Sequence, residues 1–287
     1  MPPTAKPPSK PTVAATPAKT FAIKVWSDAD EGEKILEYGP TGAGKSTLAA
    51  MSPNARFIGF DDGCRKVRNA ITGEAVKVVD GVQSFQDLRD ALHQNNLFGE
   101  EDTIVIDTIT KLEPILEPYI FRHYKVKNGT ASNMRAYGWD GPAHLLDCYR
   151  LLLTDLDAHV RVGRNVILLA QQAQIRIANA EGSDYLQDGP KLFHNNQYSV
   201  RGEISEWADH VIRVGYIDMT VAASDKVGKA GKITTTDATR AIYTGGAQHF
   251  LAKSRPVNGY RIPTVIPFES ESDDSLWQYI FDGARAA

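Results

Sequence analysis

The sequence predicts an α/β protein with a mostly parallel central sheet flanked by helices. One observation is Gly39-Pro40-Thr41-Gly42-Ala43-Gly44-Lys45-Ser46-Thr47, which fills every fixed position of the phosphate-binding loop pattern G-x-x-x-x-G-K-[ST]. Another is its setting, between a short strand-like run from Ile35 to Tyr38 and a run of helix formers from Ser46 to Met51. The third is that Ile104 to Ile106 and Val166 to Ala170 are apolar without alternation. Strands of that kind are buried on both faces, as they are in parallel sheets.

The whole chain narrows the class further. Its 287 residues, 42% hydrophobic and 23% charged, suit a soluble globular protein. A formal net charge of -3 gives no global attraction to polyanions, so any nucleic-acid contact must come from local patches. Cys64 and Cys148 stand far apart in sequence with no histidine at ligand spacing, which argues against a disulfide framework and against zinc. No apolar run has the length of a membrane span and the start lacks a signal-peptide core, so a reducing cytoplasm is expected. Residues 1–20 are rich in Pro, Ala, Thr and Lys and are expected to form a disordered tail. The principal domain is expected over 21–268, followed by an acidic tail over 269–287 with a short helix around Leu276, Trp277, Ile280 and Phe281.

Along the domain, Phe21 to Trp26 alternates like an opening strand. In the loop that follows the next strand, glycines let consecutive N–H groups turn inward toward phosphate. There Lys45 is expected to reach the β and γ phosphates and the Ser46 hydroxyl to hold Mg²⁺. Ala55 to Phe60 reads as a strand ending at Asp61-Asp62-Gly63, where two carboxylates face the phosphates or simply make a turn. A further strand is expected over Ala75 to Val79, and Ser84 is a good N-cap for a helix over Phe85 to His93. Thr103 to Thr108 is a β-branched run that delivers Asp107, the natural partner, through water or from just outside the ligand sphere, of the metal at Ser46.

Pro118 to Trp139 has no acidic residue, and Arg122, Lys125, Lys127 and Arg135 are interleaved there with Tyr119, Phe121, His123, Tyr124, Tyr137 and Trp139. Cations neutralise phosphates and aromatic faces stack bases, so the mixture suits single-stranded nucleic acid. A solvated insertion whose aromatics cover a flank of the core is the alternative. Asn128 to Asn133 reads as a loop, and Pro142 starts a long helix through Val162 with a stripe of leucines. Asn165 to Gln172 is a buried strand ending in Gln171 and Gln172, amides placed to sense a γ-phosphate. The polar segment Ala173 to Gly202 carries Arg176, Lys191 and Arg201. His210 to Tyr216 resumes strand alternation, 220–238 reads as loose, and Arg240 to Thr244 with Ala247 to Ala252 reads as a hairpin about Gly245-Gly246.

Taken in order, these segments resemble RecA-like core ATPases. GPTGAGKST is similar to their Walker A loop, FIGFDDG to the strand carrying their catalytic acid, TIVIDTIT to Walker B, VILLAQQ to the glutamine sensor strand, and AKSRPVNG to a lysine-x-arginine strand. The compact length and the DDG and GWDGPA segments look most like phage nucleotide-binding proteins related to RecA-like single-strand annealing ATPases. The similarity spans Ile35 to Pro267.

The resemblance implies a RecA-like P-loop NTPase core with a C-terminal antiparallel hairpin, using ATP and Mg²⁺. It implies that Asp61 or Asp62 polarises the attacking water, where the group usually has Glu. Lys253 and Arg255 would act in trans on a neighbour's γ-phosphate, which requires a homo-oligomer, ring or filament, with a shared active site. Residues Arg122, Tyr124, Lys125, Lys127, Arg135, Arg176, Lys191 and Arg201 would lie on the two loops that hold single-stranded DNA. The expected role is then recombination or replication of phage DNA in the cytoplasm of an infected bacterium, with a single-strand-binding protein as a further candidate partner and no membrane. Two other classes fit the same loop: an assembly switch that holds nucleotide with little turnover, and a small-molecule kinase.

Overall fold

The computed structural model describes residues 23, 31–60, 62–126, 129, 131–179, 182–217, 240–268 and 270–281, without the side chain of Asp62. The tail over 1–20, the opening strand apart from Ile23, and the segment 220–238 lie outside the described residues. The described residues form ten strands: β1 (Lys34–Gly39), β2 (Ala55–Gly59), β3 (Lys77–Val78), β4 (Thr103–Asp107), β5 (Asn165–Ile177), β6 (Tyr185–Pro190), β7 (His210–Tyr216), β8 (Arg240–Tyr243), β9 (Lys253–Ser254) and β10 (Val265–Phe268). The helices are α1 (Lys45–Ala50), α2 (Phe85–His93), α3 (Leu112–His123), α4 (Asp140–Val160), α5 (Val200–Trp207) and α6 (Ser275–Phe281).

The main sheet runs β10-β8-β7-β1-β5-β4-β2-β3. The six strands from β7 to β3 are parallel, while β8 and β10 add antiparallel to β7 and to each other. One strand, β5, therefore separates the loop strand β1 from the acidic strand β4. Side chains alternate across the sheet, and the two faces bury different partners. Leu36, Tyr38, Ile104, Ile106, Val166 and Leu168 pack with α2, α3, α4 and α5. Ile35, Val105, Ile167, Leu169 and Ile212 pack with α1, α6 and the C-terminal strands. This is a three-layer arrangement, and it explains why the central strands read as unbroken apolar runs.

Local chemistry accounts for two of the boundaries. Ser84 caps α2 in a reciprocal capping box: its Oγ accepts from the Asp87 amide at 3.1 Å and its own amide donates to Asp87 Oδ2 at 2.8 Å. Gly39 ends β1 where a Cβ would stand 2.2 Å from the Val214 carbonyl oxygen, so only glycine lets β1 and β7 close at this point.

In several places the elements differ from expectation. The strand expected over Ala75 to Val79 shortens to Lys77–Val78, an exposed edge. The stretch from Pro118 begins inside a helix, because Leu112, Leu116 and Ile120 recur every four residues and bury one face. β5 continues past Gln172 to Ile177 and pairs antiparallel with β6, with Ile175 and Ile177 alternating with exposed Gln174 and Arg176. The antiparallel C-terminal pair exists, but its second strand is Val265–Phe268. Ala247 to Phe250 instead closes on itself, each of these two residues donating its amide to the other's carbonyl at 3.2 Å. Finally, α6 is part of the core: Leu276, Trp277 and Ile280 are buried, and Trp277 Nε1 donates to the Leu48 carbonyl of α1 at 2.8 Å.

Candidate nucleotide site

The phosphate loop spans the carboxyl end of β1 and the start of α1. Gly44 turns it with φ of 101°, a left-handed conformation that favours glycine. Lys45 is largely buried, and its ammonium donates to the carbonyls of Gly39 at 3.0 Å and Pro40 at 2.9 Å. Burial lowers its pKa, while the negative charges of Glu37 and Asp107 oppose that shift. The ammonium is thus parked on the loop's own carbonyls, from which it can turn to an incoming phosphate.

Strand register brings the other polar groups to this end. Asp107 ends β4 opposite Leu169, and Gln171 of β5 lies opposite Gly39. Parity puts Asp107 and Gln171 on the same face as Val105 and Leu169, hence on the α1 side, whereas Gln172 turns to the other face. The Ser46 hydroxyl donates to Asp107 Oδ2 at 2.7 Å, joining the two groups expected at the metal. Their oxygens are the hard, anionic and hydroxylic donors that Mg²⁺ takes, so the pair fits that ion. Gln172 Oε1 is buried without a hydrogen-bond partner among the described residues.

Glu37 is a further member of the site that no motif in the sequence marks. It lies in the middle of β1, fully buried, on the face shared with Asp107, and neither carboxyl oxygen has a hydrogen-bond partner among the described residues. Burial raises its pKa well above the ordinary range. A charged residue inside an apolar strand was the available signal: Ile35-Leu36-Glu37-Tyr38 has one acid where a two-faced buried strand has none.

The remaining expected residues fall into separate groups. Asp61 and the side chain of Asp62 lie outside the described residues, as does Lys127. Lys253 and Arg255 sit at the opposite end of the sheet from this chain's own loop, since Lys253 pairs with Val211 and the Arg255 amide donates to Asp209. There the Arg255 guanidinium holds Asp209 at 2.9 Å.

Two extensions rise beyond the carboxyl edge of the sheet. As the chain moves from Ile109 to Tyr124, its contacts on α4 move back from Tyr149 to His144, so α3 runs outward and antiparallel to α4. Arg122, Lys125 and Arg135 are exposed on this extension, while Tyr124 stacks on His144 at 4.1 Å and Tyr137 is buried with its hydroxyl near the Tyr124 carbonyl at 2.9 Å. Trp139 is 86% exposed. The second extension is the β5–β6 ribbon, with Arg176 paired to Asp184 at 2.9 Å and Lys191 exposed just past it. Arg201, half-buried at the start of α5, follows. Between the extensions lies a cleft of about 680 Å³ lined by Lys111, Glu113, Glu117, Gln171, Lys191 and His194 among others.

Residues 31–256 match the AAA_24 family, described as an AAA domain. Among solved structures, a KaiC-like protein from the hyperthermophilic archaeon Pyrococcus horikoshii OT3 is similar at 12% identity and a TM-score of 0.38, over 83% of this chain and 90% of that one. No curated protein matches the chain.

Proposed function

The chain belongs to the AAA domain family, a P-loop ATPase fold, and from that premise we propose that it binds and hydrolyses ATP with Mg²⁺ and couples the nucleotide to single-stranded DNA. Lys45 leaves the Gly39 and Pro40 carbonyls to hold the β and γ phosphates. Ser46 and Asp107 would hold Mg²⁺, which would supply positive charge to the phosphate oxygens. Asp61 or Asp62 orients the attacking water, and Lys253 and Arg255 complete a neighbour's site in a homo-oligomer. The setting we infer is phage recombination or replication in an infected bacterium, in an annealing or mediator role, alongside a single-strand-binding protein.

The observation that carries the DNA reading is a backbone link at Gln171. Its amide donates to Thr110 Oγ1 at 3.0 Å, at the root of the α3 extension, and its carbonyl accepts from the Lys191 amide at 2.6 Å, at the base of the β5–β6 ribbon. A Gln171 that shifts to meet a γ-phosphate moves both extensions together. Their exposed cations supply the attraction to DNA, and Trp139 supplies an open aromatic face.

The test is ATP hydrolysis measured with and without single-stranded DNA over a range of salt. Stimulation that fades as salt rises, and that disappears in Lys45→Ala, is the expected result. Arg122→Ala combined with Lys125→Ala should weaken DNA binding and flatten its salt dependence. Hydrolysis indifferent to DNA at every salt concentration would remove the DNA reading. Tight ATP binding with no turnover, and assembly only in its presence, would favour a nucleotide-dependent assembly switch instead.

A further inference from the structure

The sheet order gives the nucleotide site two flanks. On one side of β1 lie β5 and β4 with Asp107, and on the other lie β7, β8 and β10. Arg240 opens β8 at the carboxyl end of the sheet, opposite Tyr216 of β7 and Phe268 of β10. It shares the parity of Ile242, which packs on the α1 side. Its Nη1 stands 2.9 Å from where a Cβ on Gly44 would be, so the guanidinium lies directly against the phosphate loop. Phe268 fixes it there, with the guanidinium carbon 5.0 Å from the ring centroid. The acid it meets is Glu271, at 3.6 Å, and Glu271 is 75% exposed, so that pair is weak and readily exchanged.

Were the terminal phosphates and metal at Ser46 and Asp107, the flank left for the α-phosphate and nucleoside would be the one where Arg240 lies against Gly44. We propose that Arg240 is a second cation of this site, supplied by the same chain, which releases Glu271 to bind the α-phosphate of a nucleoside di- or triphosphate. The assignment rests on the nucleotide-binding reading above. It differs from the trans role of Lys253 and Arg255 in needing no neighbour, and from the role of Lys45 in being blind to the γ-phosphate. Gly44 also acquires a second reason to be glycine, since any side chain there would displace this guanidinium.

Calorimetric titration of the full chain with ATP and with ADP, both with Mg²⁺, tests it. Arg240→Ala should weaken both nucleotides by the same factor, about tenfold, because the α-phosphate is common to them. Arg240→Lys should fall between, keeping charge while losing the planar fork and its stacking. Glu271→Gln, which leaves Arg240 and its packing intact and so guards against a folding artefact, should tighten both by about two- to threefold. ATP and ADP affinities unchanged in both Arg240→Ala and Glu271→Gln would overturn the assignment, as would a loss confined to ATP. A wild-type chain that binds neither nucleotide overturns the nucleotide reading and this assignment with it, whereas wild-type binding without an Arg240 effect overturns the assignment alone.

Discussion

Glu37 lies in β1 just before the loop, within electrostatic reach of Lys45 and Asp107, and burial holds its carboxyl toward the neutral form. A carboxyl whose folded-state pKa is raised binds more protons folded than unfolded. Its contribution is therefore complete at low pH and is lost as pH rises from the ordinary value of 4.5 through the folded one. Glu37→Gln removes that dependence, so its advantage in melting temperature over wild type should widen between pH 5.5 and pH 8.5. Parallel melting curves across that range would contradict the burial argument. At the proposed metal site, Ser46→Ala removes the hydroxyl that donates to Asp107. Nucleotide binding in EDTA should be nearly unchanged, while the gain in affinity on adding Mg²⁺ should disappear. Titration in the two buffers separates the effects.

Among the elements, α6 and the β5–β6 ribbon each reach the loop by a different route. α6 buries Leu276, Trp277 and Ile280 against α1 and ties itself to the helix backbone through the indole N–H. Trp277→Phe keeps most of the apolar contact but leaves the bond unmade, which should cost about 1 kcal/mol and lower the melting temperature by about 2–4 °C. Calorimetry gives the shift, and no shift would show that the bond contributes nothing. The ribbon is anchored behind the loop strand: Asp188 of β6 pairs with Arg213 at 3.0 Å, and the Arg213 guanidinium lies over the adjoining rings of Tyr243 and Phe250. The Tyr38 hydroxyl, one residue before the loop, lies 3.1 Å from the Asp188 carbonyl. Breaking one partner of so buried a pair strands the other, so Arg213→Ala should destabilise by roughly 3–5 kcal/mol. Denaturant unfolding measures this directly.

For the molecule as a whole, nucleotide binding and stability are linked, because the loop exists only in the folded chain. ATP at 100 times its dissociation constant should add about 2.7 kcal/mol to wild-type stability and nothing to Lys45→Ala, readable by melting with and without nucleotide. The local chemistry of the sequence was enough for the loop, the Ser84 cap, the α2 helix and the central strands, since each depends on neighbours a few residues away. It also gives reason to expect Asp107 near Ser46, because a phosphate loop needs a hard acid at the end of a buried strand, and the two side chains are hydrogen-bonded. Pairings that turn on distant partners were not legible in this way. Gly245-Gly246 carries good turn chemistry, yet β8 gains more by lying between β7 and β10, where Ile242 and Ile266 enter the apolar layer over α1. In the sequence Arg240 only opens an expected strand, and it is the sheet order that brings it against Gly44. Sequence by itself determined the fold class and the phosphate loop, since both are written in short-range patterns of glycine, charge and apolar run. Only tertiary structure decided which residues surround that loop, because strand order and face parity, not distance along the chain, set which side chains meet.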